Sequence, residues 1–406
     1  MSTLVMKFGG TSVANLDRIA RAAKRVGREV ANGHDVIVVV SAMSGKTNEL
    51  VGWVSETAPL YDAREYDAVV SSGEQVTAGL MALRLQEMGI EARSWQGWQV
   101  PLRTTSAHGA ARIDEIPTDN IRAKFDEGFK VAVVAGFQGI SPEGRITTLG
   151  RGGSDTTAVA FAAAFEAVRC DIYTDVDGVY TADPRVESRA RRMEKVAFEE
   201  MLEMASLGSK VLQTRSVELA MRYGVTLRVL SSFEDGEGTL VCPEEDIVES
   251  SVVSGVAHSR DEAKMTLLGV QDRPGIAAAI FGPLAEAGVN VDMIVQNISE
   301  EGRTDMTWSC PVGQIALARR AMEKAEGVEY GGVEVDEGVA KVSVVGIGMR
   351  SHAGVASTMF DALAREGINI KVITTSEIKI SVLVDRKYTE LAVQALHEAF
   401  GLDRAA

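Results

Sequence analysis

Cysteine and histidine are scarce in this chain, and long apolar runs and any excess of basic charge are missing altogether. The three cysteines among 406 residues, Cys170, Cys242 and Cys310, lie far apart and match no metal-ligand spacing. They read as reduced core residues in a reducing cytoplasm. The five histidines (His34, His108, His258, His352, His397) are equally scattered, so surface or capping positions are the simpler expectation than a metal centre or a triad. No stretch approaches the ~20 consecutive apolar residues a membrane helix needs. The start, Met1 to Lys7, runs straight into a glycine pair and has no basic, apolar and small-residue sections of a signal peptide. A net charge of -15 disfavours nucleic acid and anionic membrane as partners, because both reward clustered Lys and Arg. It leaves room for a local basic site that takes phosphate.

What is present is an ordinary globular composition, 46% apolar and 24% charged. The length predicts about two to four domains. The first part alternates strands with helices. Leu4 to Phe8 is a short apolar run ending on Gly9-Gly10. Asn15 to Ala31 has helical spacing through Ile19, Ala22, Ala23, Val26 and Val30. Asp35–Ala42, Lys130–Phe137 and Cys170–Val176 read as buried strands, with Thr226–Leu230 a further candidate. Ser72–Met88 and Ser154–Val168 read as helices. Continuous apolar strands are expected when helices cover both faces of a parallel sheet. Pro142-Glu143-Gly144 marks a hairpin ending at Thr147-Thr148-Leu149.

After the acidic stretch Glu244-Glu245-Asp246 the pattern changes to an internal repeat. Pro274-Gly275-Ile276 corresponds to Ala353-Gly354-Val355, and Gly288-Val289-Asn290-Val291 to Gly367-Ile368-Asn369-Ile370. Gly354 stands 79 residues after Gly275, and Asn369 stands 79 after Asn290. Each copy reads as strand, glycine turn, helix, glycine stop and strand, a ferredoxin-like α+β module. The expected architecture is α/β: a mostly parallel sheet sandwiched by helices over residues 1–245, then two modules at 262–338 and 339–406 that exchange strands.

Four segments carry chemistry. Lys7-Phe8-Gly9-Gly10 lies where the first strand meets the first helix, so backbone N–H groups and a compact charge converge there, although any tight turn has such glycines. Gly150-Arg151-Gly152-Gly153-Ser154-Asp155 opens a helix. Ser154 and Asp155 would serve for capping alone, whereas Arg151 suits bidentate recognition of a carboxylate or phosphate. Glu74, after Ser71-Ser72-Gly73, is either a favourable charge at a helix start or the counter-charge of a substrate ammonium. Thr174 to Arg185 follows a buried strand and is either a solvated turn or a nucleotide-binding loop.

In this order KFGGTSV, SAMSGKTNEL (Ser41 to Leu50), SSGEQV, GRGGSDTTA, YTDVDGVYTADPR and KVLQTR (Lys210 to Arg215) resemble the aspartokinases of the amino acid kinase superfamily. The repeat resembles that family's tandem ACT modules, and the likeness spans nearly the whole chain. The resemblance implies ATP and L-aspartate as substrates and Lys7, Asp155 and Lys210 as catalytic residues. It implies that Lys7, Gly9, Gly10, Thr174, Asp175, Tyr180, Arg185 and Lys210 hold the nucleotide. Aspartate would be held by Ser41, Thr47, Glu74, Arg151, Gly152, Gly153 and Ser154, with Glu74 on its ammonium and Arg151 on its α-carboxylate. Lysine, threonine or both would act as effectors at Asp272, Gly275, Ile276, Ala277, Asn290, Asp292 and Gln296, and a homodimer or tetramer would form through the modules. Mg2+ would rest on ATP phosphates and water rather than in a protein cage. A carboxylate is already a nucleophile at neutral pH, so no general base is required; positioning and charge stabilisation suffice. The alternatives are a kinase of glutamate or N-acetylglutamate, or a non-catalytic amino-acid sensor. Glu74 speaks against a blocked amine, and Lys7, Asp155 and Lys210 speak against a sensor.

Overall fold

The computed structural model describes residues 2–207, 211–247, 251–297, 302–325 and 327–404. Lys210 therefore lies outside the described residues. The chain forms two compact units, one of Met1–Val179, Arg192–Ala205 and Lys210–Val248, the other of Tyr180–Arg191, Ser206–Ser209 and Glu249–Ala406.

The first unit is built on an eight-stranded sheet with Thr3–Phe8 at its centre. On one side follow Asp35–Val40, Val131–Ala135 and Ala92–Trp95; on the other, Cys170–Thr174, Leu227–Ser231, Thr239–Cys242 and Lys195–Ala197. Every pairing is parallel except that of Leu227–Ser231 with Thr239–Cys242. The central strands are β-branched and buried along their length, as a sheet covered on both faces requires. Ile19, Ala22, Ala23 and Val26 of the Leu16–Ala31 helix pack on Leu4, Met6, Val36 and Val38 with Met81 and Leu85 of the Ser72–Glu87 helix. Asn15 caps the first of these helices by accepting the Arg18 N–H at 3.0 Å. The chain leaves the central strand to one side and returns to the other. That reversal opens a crevice at the carboxyl ends of Thr3–Phe8 and Cys170–Thr174, where such sheets bind ligands. The expected hairpin pairs Gln138–Ile140 with Ile146–Thr148 in a small second sheet.

The second unit carries one six-stranded antiparallel sheet, in the order Asp292–Gln296, Arg303–Cys310, Gly255–Gln271, Gly332–Val345, Lys379–Asp385, Ile370–Thr375. The repeat is visible in its helices: Ile276–Glu286 and Val355–Arg365 begin and end 79 residues apart. Gly275 and Gly354 precede them at φ 89° and 97°, a left-handed turn that leaves the first N–H groups of each helix without a side-chain cap. The two long central strands serve both copies. Met265, Leu267, Val333 and Val335 pack with the first helix, while Val256, Val342 and Val344 pack with the second.

Candidate active site

Lys7 is buried near the end of the central strand, and its Nζ meets Asp155 Oδ1 at 2.5 Å. Asp155 lies in the first turn of the Gly153–Ala164 helix, which is buried almost throughout. A Cβ on Gly9 would stand 3.3 Å from Lys7 Nζ, so the ammonium lies close over the glycine backbone. Gly9 donates its own N–H to Tyr173 O at 3.2 Å, which ties the loop to the neighbouring strand. Gly10 opens the short Gly10–Val13 turn, and its N–H has no acceptor within that turn. Of the two amides expected to face phosphate, Gly9's is therefore engaged within the protein.

The loop after Asp35–Val40 closes the site. A Cβ on Gly10 would lie 3.0 Å from Ala42 O, and Ala42 N–H donates to Glu74 Oε1 at 3.0 Å. Glu74 sits in the first turn of its helix, 3% exposed, and its Oε2 is buried without a hydrogen-bond partner. Burial pushes its carboxyl up to about 7 despite the Ala42 N–H and its own amide, which favour the charged form. The carboxylate is therefore half-satisfied, an arrangement that buried polar groups seldom keep. Ser41, whose N–H reaches Phe8 O at 3.1 Å, and Thr47, second in the Lys46–Thr57 helix, are half-buried on the same loop and helix.

The Gly150–Ser154 segment forms the facing wall. Gly150 and Gly152 have φ of 78° and 68°, and a Cβ on Gly152 would overlap the Gln213 side chain. Gly153 packs against Phe137, itself at φ 67° two residues after the Val131–Ala135 strand; backbone strain of this kind gathers at functional sites. Ser154 is buried with its Oγ 2.8 Å from where a Gly136 Cβ would stand. Arg151 is exposed and, among the described residues, makes no ion pair.

Thr174 ends its strand and donates to Asp175 Oδ1 at 3.1 Å. Close by is a pocket of about 210 Å³ lined by Asp177, Arg192, Leu230, Ser231, Glu234 and Asp235 among others. Apart from their general place at a strand end, nothing in the sequence marked Ser231 or Asp235 as candidates. Tyr180 and Arg185 fall on the segment that belongs to the second unit, where Arg185 pairs with Asp183 at 2.8 Å. Ala182, Val186 and Ala190 of that segment pack with the Val355–Arg365 helix, and Thr181 Oγ1 lies 2.9 Å from His397 Nε2. Of the histidines expected at surface or capping positions, His397 is fully buried and the side chain of His108 is 7% exposed.

In the second unit, Asp272 and Gln296 come together at 3.4 Å below the Gly275 turn, with Ile276 buried, Ala277 next in the helix, and Asn290 N–H held by Gln314 Oε1 at 2.8 Å. Asp292 faces Lys341 Nζ at 2.7 Å, and the same ammonium reaches Glu262 Oε1 at 2.7 Å. Burial of Asp292 is outweighed by Lys341, so its carboxyl is held below the usual range. In the second copy Lys371 stands at the position matching Asp292 and joins Asp336 and Asp385, each at 2.6 Å.

A parallel α/β sheet whose crevice holds a buried lysine–carboxylate pair, a glycine-rich helix start and an unmatched carboxylate defines a small-molecule phosphotransferase site. The family pattern described as the amino acid kinase family matches residues 2–231, and two ACT-domain patterns match 264–327 and 342–400. An aspartate kinase of Pseudomonas putida is 54% identical over 100% of this chain and 99% of its own length. An aspartokinase of Corynebacterium glutamicum is 47% identical over 99% and 97%. The crystal structure of Escherichia coli aspartokinase III with aspartate and ADP superposes with a TM-score of 0.82 at 30% identity, over 98% of this chain and 99% of that one. The same enzyme with lysine and aspartate gives 0.78 at 30%, over equal shares. The chain belongs to the aspartokinases, within the amino acid kinase family.

Proposed function

We infer that this aspartate kinase transfers the γ-phosphoryl group of ATP to the β-carboxylate of L-aspartate by positioning and charge stabilisation alone. The observation that carries the reading is the buried, half-satisfied carboxylate of Glu74, which offers one oxygen to Ala42 and keeps the other for a substrate ammonium. Arg151 takes the α-carboxylate, with Ser41, Thr47, Gly152, Gly153 and Ser154 around it. That leaves the β-carboxylate toward Lys7, whose ammonium neutralises charge building on the phosphoryl oxygens while Asp155 holds it in place. Thr174 and Asp175 line the nucleotide at the strand end beside the 210 Å³ pocket; Tyr180, Arg185 and Lys210 retain their nucleotide roles from the family resemblance. Mg2+ would be carried by ATP phosphates and water and would offset their charge.

Lysine, threonine or both would bind at the Gly275 turn of the first module. The free N–H groups there suit an effector carboxylate, and the lysine complex of the E. coli enzyme supports the class of ligand. Asp292–Gln296 and Ile370–Thr375 are the two edges of the second unit's sheet, and unpaired edges favour a homodimer or tetramer through these modules. No helix among the described residues is long and apolar enough to cross a membrane, and the three buried free cysteines fit a cytoplasmic setting. The test is ATP turnover with aspartate, glutamate and N-acetylglutamate in turn, with hydroxylamine trapping the acyl phosphate. Trapping with aspartate alone is expected; turnover with N-acetylglutamate would remove Glu74 from its role.

A further inference from the structure

One buried polar network near the glycine-rich loop has no part in the chemistry described so far. Asp67, on the Ala63–Val70 helix, is fully buried. Its carboxylate accepts from His108 Nδ1 at 2.7 Å, from Gly109 N–H at 3.1 Å and from Thr148 Oγ1 at 2.5 Å. The histidine side chain is 7% exposed against none for its partner, and its Nε2 is buried with no hydrogen-bond partner. Buried side-chain nitrogens nearly always find one, so the pair is closed on one side and open on the other.

All of these donors adjoin the loop that carries Arg151. Thr148 precedes Gly150 by two residues, and its carbonyl receives Ala111 N–H at 2.9 Å. Gly109 O lies 3.3 Å from where a Cβ on Gly150 would stand. Arg215 closes the frame by donating to Leu149 O at 2.9 Å and Ala111 O at 3.0 Å. Tyr66, beside Asp67 in sequence, has its phenol pushed up by burial, while the Arg151 charge works in the opposite direction. Arg151 itself has no ion pair among the described residues, so nothing on its own side chain sets its direction. Its aim is set by the backbone of its loop, and that backbone is pinned through Thr148 and Gly109 to one carboxylate.

We propose that Asp67 and His108 are positioning residues that set the Arg151 loop for the substrate's α-carboxylate, an inference that rests on Arg151 holding that group. Asp67→Asn and His108→Ala are expected to raise the aspartate KM about tenfold, as a small misplacement of a binding group does, with the ATP KM within about twofold and a melting temperature near the parent's. His108→Asn, whose amide can still donate to Asp67, should recover most of the loss. In an Arg151→Ala background Asp67→Asn should add little, because the two changes remove the same interaction. Equal rises in both KM values, lower stability with an unchanged aspartate KM, or fully additive effects would overturn the proposal. If Arg151→Ala alone leaves the aspartate KM unchanged, the assignment of Arg151 fails as well. If it raises that KM while Asp67→Asn and His108→Ala do not, only the positioning role falls.

Discussion

Two carboxylates in this molecule belong to expected amino-acid sites, Glu74 to the substrate's and Asp292 to the effector's, and their surroundings could hardly differ more. Glu74 is sealed in the first unit with one oxygen unpartnered and its carboxyl raised to about 7. Asp292 is half-exposed in the second unit, already bound to Lys341, and held below the usual carboxylate range. An unsatisfied buried acceptor is a standing cost that a substrate removes on binding. A carboxylate already paired to a lysine carries no such cost, so an incoming ammonium must share or displace that partner. The first arrangement suits obligatory recognition in every turnover. The second suits a ligand whose binding shifts an existing contact, which is what regulation requires.

The largest test removes the charge on which the first site is centred. Lys7→Ala is expected to lower kcat by about two to three orders of magnitude, the scale for losing one transition-state stabilising group. It also strands Asp155, whose uncompensated burial destabilises the fold. Lys7→Ala/Asp155→Asn should therefore melt higher than Lys7→Ala while staying inactive, and near-normal kcat in either would make Lys7 structural.

Next comes the contrast itself. Glu74→Gln should raise the aspartate KM by roughly 2–5 kcal/mol equivalent, as when one member of a buried charge pair is lost, with the ATP KM little changed. The pH dependence has a definite sign. The empty site's carboxylate forms only above about 7, so in the parent aspartate binding weakens as pH falls through that value, and the glutamine variant is flat. The folded-state value lies above that of an unfolded glutamate, so the ligand-free protein loses stability as pH rises through about 7. Saturating aspartate should offset that loss. Melting curves with and without aspartate across this range check both signs.

A several-fold weakening of inhibition is expected for Asp292→Ala, assayed with lysine and threonine singly and together, with no change in the aspartate KM when effector is absent. Undiminished inhibition would place the effector ammonium elsewhere and dissolve the comparison. The smallest effect concerns Lys371, which is about three-quarters buried and joins Asp336 and Asp385. Its hydrogen bond holds the Asp336 carboxyl below its ordinary value. That contribution is present above the ordinary carboxylate range and lost as pH falls through the depressed value. Lys371→Met should cost under about 1 kcal/mol at neutral pH and flatten the acid limb of the stability profile. A larger cost would mean the triad is more than a surface clamp.

The frame of this protein was legible in one dimension because it is made of local signals. Apolar runs such as Asp35–Val40 and Val131–Ala135 became the central strands. Gly275 and Gly354 marked helix starts that only a left-handed residue supports, and the 79-residue offset carried through to both ends of the helices. Lys7, Asp155, Glu74 and Arg151 stood out through the order of their motifs along the chain, because any one tight turn or helix start has such residues for other reasons. What the residues could not declare was which of them finish paired. The engagement of Gly9 N–H with Tyr173, the unmatched oxygen of Glu74, Lys341 bridging Asp292 and Glu262, and Asp67 gathering His108 and Thr148 all join positions 41 to 164 residues apart or leave an atom without a partner at all. The placement of Tyr180–Arg191 with the second unit belongs with them. Periodicity and turn chemistry act over a few residues, so the sequence alone determines elements and their order. Burial and partner choice depend on contacts closed only when distant segments meet, so the tertiary structure alone decides which charges stay available for chemistry.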